Sequence, residues 1–309
     1  MKGGTVYSSD TTNMLTALLR WYRTHKRNLP WRWTRDPYAS FVSELMLQQT
    51  QVDRVIPKYE TWLKTFPTWE SLAAAKTDKL IRAWAGLGYN RRALFAREAA
   101  KTVVASGIPT DEAGWRELKG VGPYMAAALA EFANHVRAIV IDTNVRRVVG
   151  RAQLGLPFPS LRDDEKVRAV LEREVPKRGN HWDIPQALMD LAASTCLPKK
   201  PKCEICPLRR TCKATKLSAF SFKLSAKPRT RPFPNERVSD GKRYPDRIFR
   251  GRILALVRTE GPVDPESVGP RVDPTYSPKD AEWVEAMIER LAKDGLLAWT
   301  KQGELRLPK

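Results

Sequence analysis

The sequence lacks any uninterrupted run of the roughly 20 apolar residues that a membrane-spanning helix needs. Its first residues, MKGGTVYSSD, also lack the apolar core of a secretory signal peptide. Negative charge is in the minority, because 34 Asp and Glu stand against 54 Lys and Arg and give a net charge of +20. We therefore expect no membrane partner, a cytoplasmic location (at the nucleoid if the host is prokaryotic) and a polyanionic partner, with nucleic acid first.

Cysteine is scarce, and its placement is informative. All four cysteines of the 309 residues lie in the basic segment CLPKKPKCEICPLRRTC, as Cys196, Cys203, Cys206 and Cys212. Structural disulfides are uncommon in a reducing compartment, where clustered thiols more often bind metal. Zinc sites usually combine two close CxxC-type pairs, and here only the middle two cysteines form one. The spacing thus favours an iron-sulfur cluster over zinc, with disulfides as the third alternative.

Strand patterns are also scarce up to residue 216, whereas apolar residues recur at helical spacing. Short turns rich in Pro and Gly separate these stretches, as in a compact helical bundle. The sequence therefore predicts an all-α architecture for this part, with helical patterns at residues 11–25, 40–66, 68–87 and 91–106.

Residues 217–245 are rich in Pro, Ser, Lys and Arg, which is typical of an extended connector that either tethers or follows a phosphate backbone. Two helical patterns and an alternating hairpin about a KQGE turn follow in residues 246–309. This order predicts a small α+β module of winged-helix type, which in other proteins binds either DNA or protein.

Two segments contain candidate catalytic and binding residues. In LKGVGPYMAAALAEFA, Gly120 and Gly122 indicate a tight turn before a helix whose first amides could take a phosphate, although an ordinary helix corner has the same pattern. In AIVIDTNVRRVVGR, an apolar run ends at Asp142 and Asn144, just before a basic helix. Asp142 is predicted to cap that helix and to be a candidate catalyst.

Several motifs together resemble the helix-hairpin-helix DNA glycosylases of the endonuclease III superfamily, most closely the MutY-type adenine glycosylases. They are LPWR, SELMLQQTQV, AGLGY, LKGVGPY, IDTNVRRV and the cysteine loop, and they extend over residues 14–215. The resemblance implies a [4Fe-4S] cluster domain of residues 1–34 and 146–216 and a six-helix barrel domain with the helix-hairpin-helix motif at residues 35–145. It also implies that the four cysteines hold the cluster and that the enzyme binds double-stranded DNA, with a monomer expected.

The same resemblance implies roles for individual residues. Asp142 would stabilise the oxocarbenium-like transition state, Asn144 would support Asp142, and Glu44 would protonate the leaving base with a raised pKa. Tyr124 occupies the position of the lysine in lyase members, so no Schiff base would form there. Further residues would contact DNA or fill the gap left by the flipped nucleotide: Gln48, Gln49, Tyr89, Asn90, Gly120, Gly122 and Arg147.

Two departures from the adenine glycosylase pattern bear on the substrate. The family usually reads GLGYY where this chain has GLGYN with Asn90, and full-length members carry a Nudix-type domain for which this chain is too short. The first expectation is a monofunctional glycosylase that removes adenine opposite guanine or 8-oxoguanine. The alternatives are a mismatch glycosylase for thymine, uracil or hypoxanthine, and a non-catalytic DNA-structure binder.

Overall fold

The computed structural model of the chain describes residues 14–216 and 236–309. Most of the predicted linker, and the first 13 residues of the predicted cluster domain, lie outside the described residues. Within them the chain forms two compact units. Unit 1 consists of residues 14–35, 110–115 and 122–216, and unit 2 of residues 36–109, 116–121 and 236–309.

The described residues are mostly helical, as predicted. The α-helices are α1 Met14–His25, α2 Pro37–Leu47, α3 Val52–Thr65, α4 Trp69–Ala73, α5 Thr77–Ala83, α6 Arg91–Ser106, α7 Glu112–Arg116, α8 Pro123–Phe132, α9 Thr143–Leu154, α10 Asp164–Glu174, α11 Asp183–Ser194, α12 Asp246–Glu260, α13 Val268–Val272 and α14 Ala281–Lys293. Two short strands, β1 Ala298–Trp299 and β2 Leu305–Arg306, follow α14, and six short 3-10 helices lie between the longer elements of the described ranges. No helix in the described ranges is long and apolar enough to span a bilayer.

Unit 1 is built around α9 and α11. These helices pack against each other, α1 packs on α11, and α10 packs on α9. Their apolar faces form one core, to which three of the four cysteines are added from the loop after α11. The packing fixes where the loop of residues 196–212 leaves the helices.

Unit 2 has α2 at its centre. Nine consecutive residues of α2, from Tyr38 to Met46, are buried, so that this helix has no solvent-facing stripe. Helix α3 packs on α2, and α4 packs on α6. The polar side chains of α2 are therefore buried as well, Glu44 among them.

The C-terminal module, residues 246–309, belongs to unit 2 and shares an apolar core with it. In this module β1 pairs antiparallel with β2, with Ala298 opposite Arg306. The side chains of α12 and α14 enclose a core that also includes Ile81 of α5 and contacts Leu94 of α6. The module is thus attached to the helices of unit 2 by buried apolar surface, and the predicted hairpin is present.

Two of the predicted helical stretches were wrong in extent. The stretch 40–66 is divided into α2 and α3 at residues 48–51, and the stretch 68–87 is divided into α4 and α5 at residues 74–76. Neither break contains Gly or Pro. In the first, Gln49 has a positive φ of 56°, a conformation that non-glycine residues adopt only when the surrounding structure imposes it.

Candidate active site

Asp142 lies in unit 1 at the first turn of α9, where it caps the helix as predicted. Its backbone is extended, and its Oδ1 accepts hydrogen bonds from the backbone amides of Asn144 at 2.8 Å and Val145 at 2.7 Å. These amides are among those that a helix cannot satisfy internally. The cap fixes the carboxylate at the positive end of the helix dipole.

A chain of hydrogen bonds connects Asp142 to the cysteine loop. Asn144 Nδ2 donates to Asp142 Oδ2 at 2.7 Å, and Arg147 Nη2 donates to Asn144 Oδ1 at 3.0 Å. Arg147 also donates through Nε to the carbonyl of Cys196 at 2.8 Å and through Nη2 to that of Ala192 at 3.0 Å. Burial lowers the pKa of Arg147, and the repulsion from Arg151 adds to that effect. The structure thus brings three predicted site residues together with the first cysteine.

The four cysteines are free thiols that line one small cavity in unit 1. No disulfide bond therefore joins these four cysteines in this structure. In the part of the chain that the structure describes, no three His, Cys, Asp or Glu side chains gather closely enough to hold a single metal ion. Four thiols spaced around a shared cavity make a donor set that suits a multi-iron cluster better than one zinc ion.

Arg151 stabilises this loop from α9. It is 2% exposed and donates to the carbonyls of Leu197 at 2.7 Å and Pro198 at 2.8 Å, and to Cys196 Sγ at 3.6 Å. Burial raises the pKa of Cys206 to about 12, so loading the site with a metal must displace a proton there.

Glu44 lies in unit 2, on the buried helix α2. It is 7% exposed, and its neighbours Phe41, Val42, Leu45 and Met46 are each 2% exposed or less. The carboxyl group of Glu44 is therefore largely shielded from water. A carboxyl that is buried on such a helix is a candidate for proton transfer.

Two loops of unit 2 contain the residues predicted to enter the DNA stack. Gln48 and Gln49 follow α2, while Tyr89 and Asn90 precede α6. Tyr89 is 43% exposed and, like Gln49, has a positive φ, here 46°. Both loops therefore have a strained conformation at a residue that sequence reasoning assigns to DNA contact.

Arg92 holds these two loops together, a role that sequence reasoning missed. Its Nη1 donates to the carbonyls of Leu45 at 2.9 Å and Gln48 at 2.5 Å, and its Nη2 donates to those of Leu87 and Gly88, both at 3.3 Å. The side chain is buried, and burial lowers its pKa to about 10. The only sequence signal was its position two residues after the GLGYN motif, behind Arg91.

The turn of the predicted helix-hairpin-helix motif, at residues 118–124, has a geometry that requires glycine at one position. Gly120 has φ of 84°, and a Cβ there would lie 2.9 Å from the Cβ of Phe95, so that conformation and space both exclude a side chain. Gly122 precedes α8 in extended conformation, is exposed, and has open space around it. Tyr124 is half-buried in the first turn of α8.

A second interaction that the sequence did not reveal is a buried ion pair in unit 1. Asp190 of α11 is 1% exposed and accepts hydrogen bonds from Nη1 and Nη2 of Arg32, at 2.7 and 2.8 Å, and from Arg27. Burial alone would raise the pKa of Asp190, but the two guanidinium groups outweigh it and the pKa lies below its ordinary value. Arg32 belongs to the LPWR motif, so this motif attaches the segment after α1 to α11.

Comparisons with known proteins agree on one family. The profile of the HhH-GPD superfamily base excision DNA repair proteins matches residues 42–177. An adenine DNA glycosylase of Mycobacterium tuberculosis is 36% identical over 95% of this chain and 93% of that protein. The adenine DNA glycosylase of Homo sapiens is 37% identical over 67% of this chain and 40% of that protein.

Solved structures show the same fold. A thermostable thymine-DNA glycosylase superposes with a TM-score of 0.61 and 28% identity, over 65% of this chain and 94% of that one. A trapped covalent intermediate of endonuclease III with DNA superposes with a TM-score of 0.57 and 21% identity, over 65% and 93%.

Proposed function

The chain belongs to the adenine DNA glycosylases of the HhH-GPD superfamily, and on that basis we propose a monofunctional base excision repair enzyme that removes adenine paired with guanine or 8-oxoguanine. The observation that carries the proposal is the pair of carboxyl groups in opposite environments. Glu44 is buried among apolar side chains, while Asp142 is held by helix amides. A carboxyl buried on an apolar helix and a carboxylate held by helix amides suit acid catalysis and charge stabilisation respectively.

In the proposed reaction, the bond between C1′ of the deoxyribose and the adenine nitrogen breaks, and its electron pair leaves with the base. Adenine is a poor leaving group unless a ring nitrogen is protonated, and Glu44 supplies that proton. The sugar develops positive charge, which the Asp142 carboxylate stabilises. A water oxygen then bonds to C1′ and its proton goes to a carboxylate, leaving an abasic site.

Asn144 and Arg147 are positioning residues in this proposal. The amide of Asn144 fixes Asp142 Oδ2, and Arg147 fixes Asn144. The carboxylate is thereby held by three hydrogen bonds before any DNA arrives, which is the preorganisation that electrostatic stabilisation needs.

Tyr124 supports the assignment as a monofunctional enzyme. A lyase forms a Schiff base with the opened sugar, and this requires an amine at the position that Tyr124 occupies. A phenol cannot form that bond. Strand breaks should therefore appear only after the abasic product is treated with alkali.

We assign a [4Fe-4S] cluster to Cys196, Cys203, Cys206 and Cys212. The cluster would supply four iron–thiolate bonds that crosslink the loop of residues 196–212. The loop carries the carbonyl of Cys196 that fixes Arg147, so its shape bears on the position of Asp142 through Asn144. Its five basic residues, Lys199, Lys200, Lys202, Arg209 and Arg210, suit contact with DNA phosphates.

Double-stranded DNA with a mismatched or damaged base is the proposed partner. The net charge of +20, the exposed Gly122 and Pro123 at the start of α8 and the basic cysteine loop all favour phosphate. We propose that the protein is a monomer and that it works in the cytoplasm, at the nucleoid if the host is prokaryotic. For the C-terminal module we propose a winged-helix-like arrangement, on the basis of three helices followed by the β1–β2 hairpin.

A second candidate substrate is thymine, uracil or hypoxanthine in a mispair. Asn90 in place of the second aromatic residue of GLGYY favours it, and one solved neighbour is a thymine-DNA glycosylase. The motif around Glu44 and the sequence identity to adenine DNA glycosylases favour adenine.

The deciding experiment is a single-turnover glycosylase assay. The duplexes would contain A opposite 8-oxoguanine, A opposite G, T opposite G, U opposite G and hypoxanthine opposite T, each developed with and without alkali. We expect alkali-dependent breaks in the A-containing strands alone. Release of thymine, uracil or hypoxanthine in place of adenine would refute the adenine assignment, and breaks without alkali would refute the monofunctional one. An Asp142→Asn preparation controls for contaminating glycosylases.

A further inference from the structure

Unit 1 contains a buried pair of titratable side chains that the proposed chemistry does not use. Glu131, in the last turn of α8, is 0% exposed, and His181, just before α11, is 5% exposed. Glu131 Oε1 lies 2.6 Å from His181 Nδ1. Glutamate is rarely buried this deeply unless it is paired. The pair therefore joins the end of α8 to the start of α11.

The second carboxyl oxygen of Glu131 holds the backbone that leads to Asp142. Oε2 accepts a hydrogen bond from the amide of Ala138 at 2.6 Å, and residues 138–140 are buried. The chain from Ala138 to Asp142 spans at most about 14 Å even when fully extended. Residues 138–141 belong to no helix or strand. Their position therefore depends on individual contacts such as the one that Glu131 makes.

The turn between α8 and this segment is also held from two sides. His135 has a positive φ of 54°, which a residue other than glycine adopts only when the surrounding structure imposes it. The next amide, of Val136, donates to the carbonyl of Ala130 in α8 at 2.9 Å. The ring of His135 packs edge-on against that of Trp182, with the centroids 4.9 Å apart. The turn is thus fixed both to α8 and to the residues before α11.

Asp142 is therefore connected to α11 and its flanks by two chains of hydrogen bonds. One starts at the C-terminal end of α11 and reaches Asp142 through Arg147 and Asn144, as described above. The other starts before the N-terminal end, at His181, and reaches the segment before Asp142 through Glu131. The first chain fixes the carboxylate, and the second fixes the backbone that delivers it.

We propose that Glu131 is a positioning residue of the glycosidic reaction, because its bond to Ala138 fixes the backbone that places the Asp142 carboxylate. His181 supports it by occupying the other carboxyl oxygen. The inference rests on the proposed function, in which that carboxylate must meet the positive charge on the sugar. A misplacement of about 1 Å at a reacting group can slow a reaction about 100-fold.

The anchor depends on hydrogen bonds and does not require a charge on Glu131. Burial raises the pKa of the Glu131 carboxyl, and the hydrogen bonds from Ala138 and His181 offset that rise only in part. A proton shared with His181 Nδ1 leaves Oε2 free to accept from Ala138 in either arrangement. Glutamine can replace both bonds, since its oxygen accepts from Ala138 and its amide group donates to an imidazole nitrogen.

Three substitutions of Glu131 separate hydrogen bonding from charge and from packing. Glu131→Gln keeps both bonds without the charge. Glu131→Asp keeps the carboxyl but shortens the side chain by one methylene, so that its oxygens cannot reach both partners. Glu131→Met fills the space with a good helix former and leaves the buried amide of Ala138 without an acceptor. The matched control is Leu18→Ala, which destabilises the core of unit 1 by removing apolar contacts alone.

The variants are compared on a duplex with A opposite guanine, at a temperature well below the lowest Tm of the set. At saturating enzyme we expect Glu131→Met to release adenine about 100-fold more slowly than the wild type. The rate of Glu131→Gln should stay near that of the wild type, and the rate of Glu131→Asp should lie between them. Duplex affinity, measured in a Glu44→Gln background, should not change. Leu18→Ala should lower Tm and leave the rate unchanged.

Hydrogen exchange followed by mass spectrometry gives a second measurement that needs no activity. In Glu131→Met, residues 138–146 should exchange faster relative to α10 than they do in the wild type, because the opening is local. In Leu18→Ala the exchange of both regions should change together.

A folded Glu131→Met that releases adenine at the wild-type rate would overturn the proposal, as would a Glu131→Gln that loses as much as Glu131→Met. If Glu131→Met does not fold, the comparison of Glu131→Asp with Glu131→Gln decides, and equal rates would overturn it. Absence of adenine release by the wild type would instead overturn the proposed function. The exchange of residues 138–146 would then still decide whether Glu131 fixes the backbone before Asp142.

Discussion

Replacing Arg92 with methionine should destabilise unit 2 strongly although Arg92 forms no ion pair among the contacts described above. Its two shorter bonds, to Leu45 and Gln48, contribute about 1.5–3 kcal/mol each because the donor is charged. The bonds to Leu87 and Gly88 are longer and add little. Burial opposes these contributions, because it disfavours the charged form of Arg92 and lowers its pKa to about 10.

On balance, we expect Arg92→Met to lower the free energy of unfolding by about 3 kcal/mol, because methionine fills the space but leaves buried carbonyls without donors. For a unit of this size that corresponds to a fall in Tm of about 6–12 °C. The Tm of Arg92→Lys should lie between those of the wild type and Arg92→Met. A single ammonium group lacks the planar fork with which the guanidinium donates to both loops.

The assay is thermal unfolding of the full chain followed by circular dichroism, with Arg91→Met as the matched control. Arg91 is the neighbouring residue, its side chain is 55% exposed, and its nearest carboxylate oxygen, on Asp294, is 3.4 Å away. An exposed pair of this kind contributes at most about 1 kcal/mol. If Arg92→Met and Arg91→Met lower Tm by the same small amount, the reasoning about the buried guanidinium is wrong.

Three further predictions concern unit 1. Asp142→Asn should abolish detectable adenine release while DNA affinity and Tm stay near the wild type, since asparagine also caps helices; a variant that still turns over would remove Asp142 from the chemistry. The pKa of Asp190 in the folded state lies below its ordinary value of 3.8. Its contribution to folding stability is therefore complete above about pH 4 and is lost as pH falls through the folded pKa. Asp190→Asn should lower the free energy of unfolding by about 3–5 kcal/mol at pH 7 and should reduce the fall of Tm at acid pH. A fall of Tm at acid pH as large as in the wild type would contradict this. Anaerobically purified protein should show a visible iron-sulfur absorbance band that Cys206→Ser weakens, with iron measured in parallel; a colourless preparation with one zinc per chain would refute the cluster.

Local features of the fold were readable from the sequence. The helical pattern at residues 91–106 corresponds to α6 without correction, and the apolar run before Asp142 correctly predicted a helix cap. Both depend on short-range chemistry, either apolar spacing or the hydrogen bonds between a side chain and amides two or three residues away.

Features that depend on distant contacts were not readable. The break after α2 contains neither Gly nor Pro, and the positive φ of Gln49 occurs beside carbonyls that Arg92 holds from 44 residues away. The buried pair of Arg32 and Asp190 joins residues 158 apart. Nothing in the sequence of α12 indicated that Arg247 would lie over Tyr89. Such contacts depend on tertiary packing, which overrides local pattern.

The apolar core shared by the C-terminal module and the helices of unit 2 has a consequence for how this enzyme could change over generations. A chain cut near residue 245 would expose Ile81 and Leu94 to water, together with the rest of that apolar face, and an exposed patch of this kind promotes aggregation. The terminal 64 residues therefore could not be exchanged by recombination as an independent cassette. A replacement segment would have to arrive with a matching hydrophobic face, or the recipient helices would need compensating polar substitutions first.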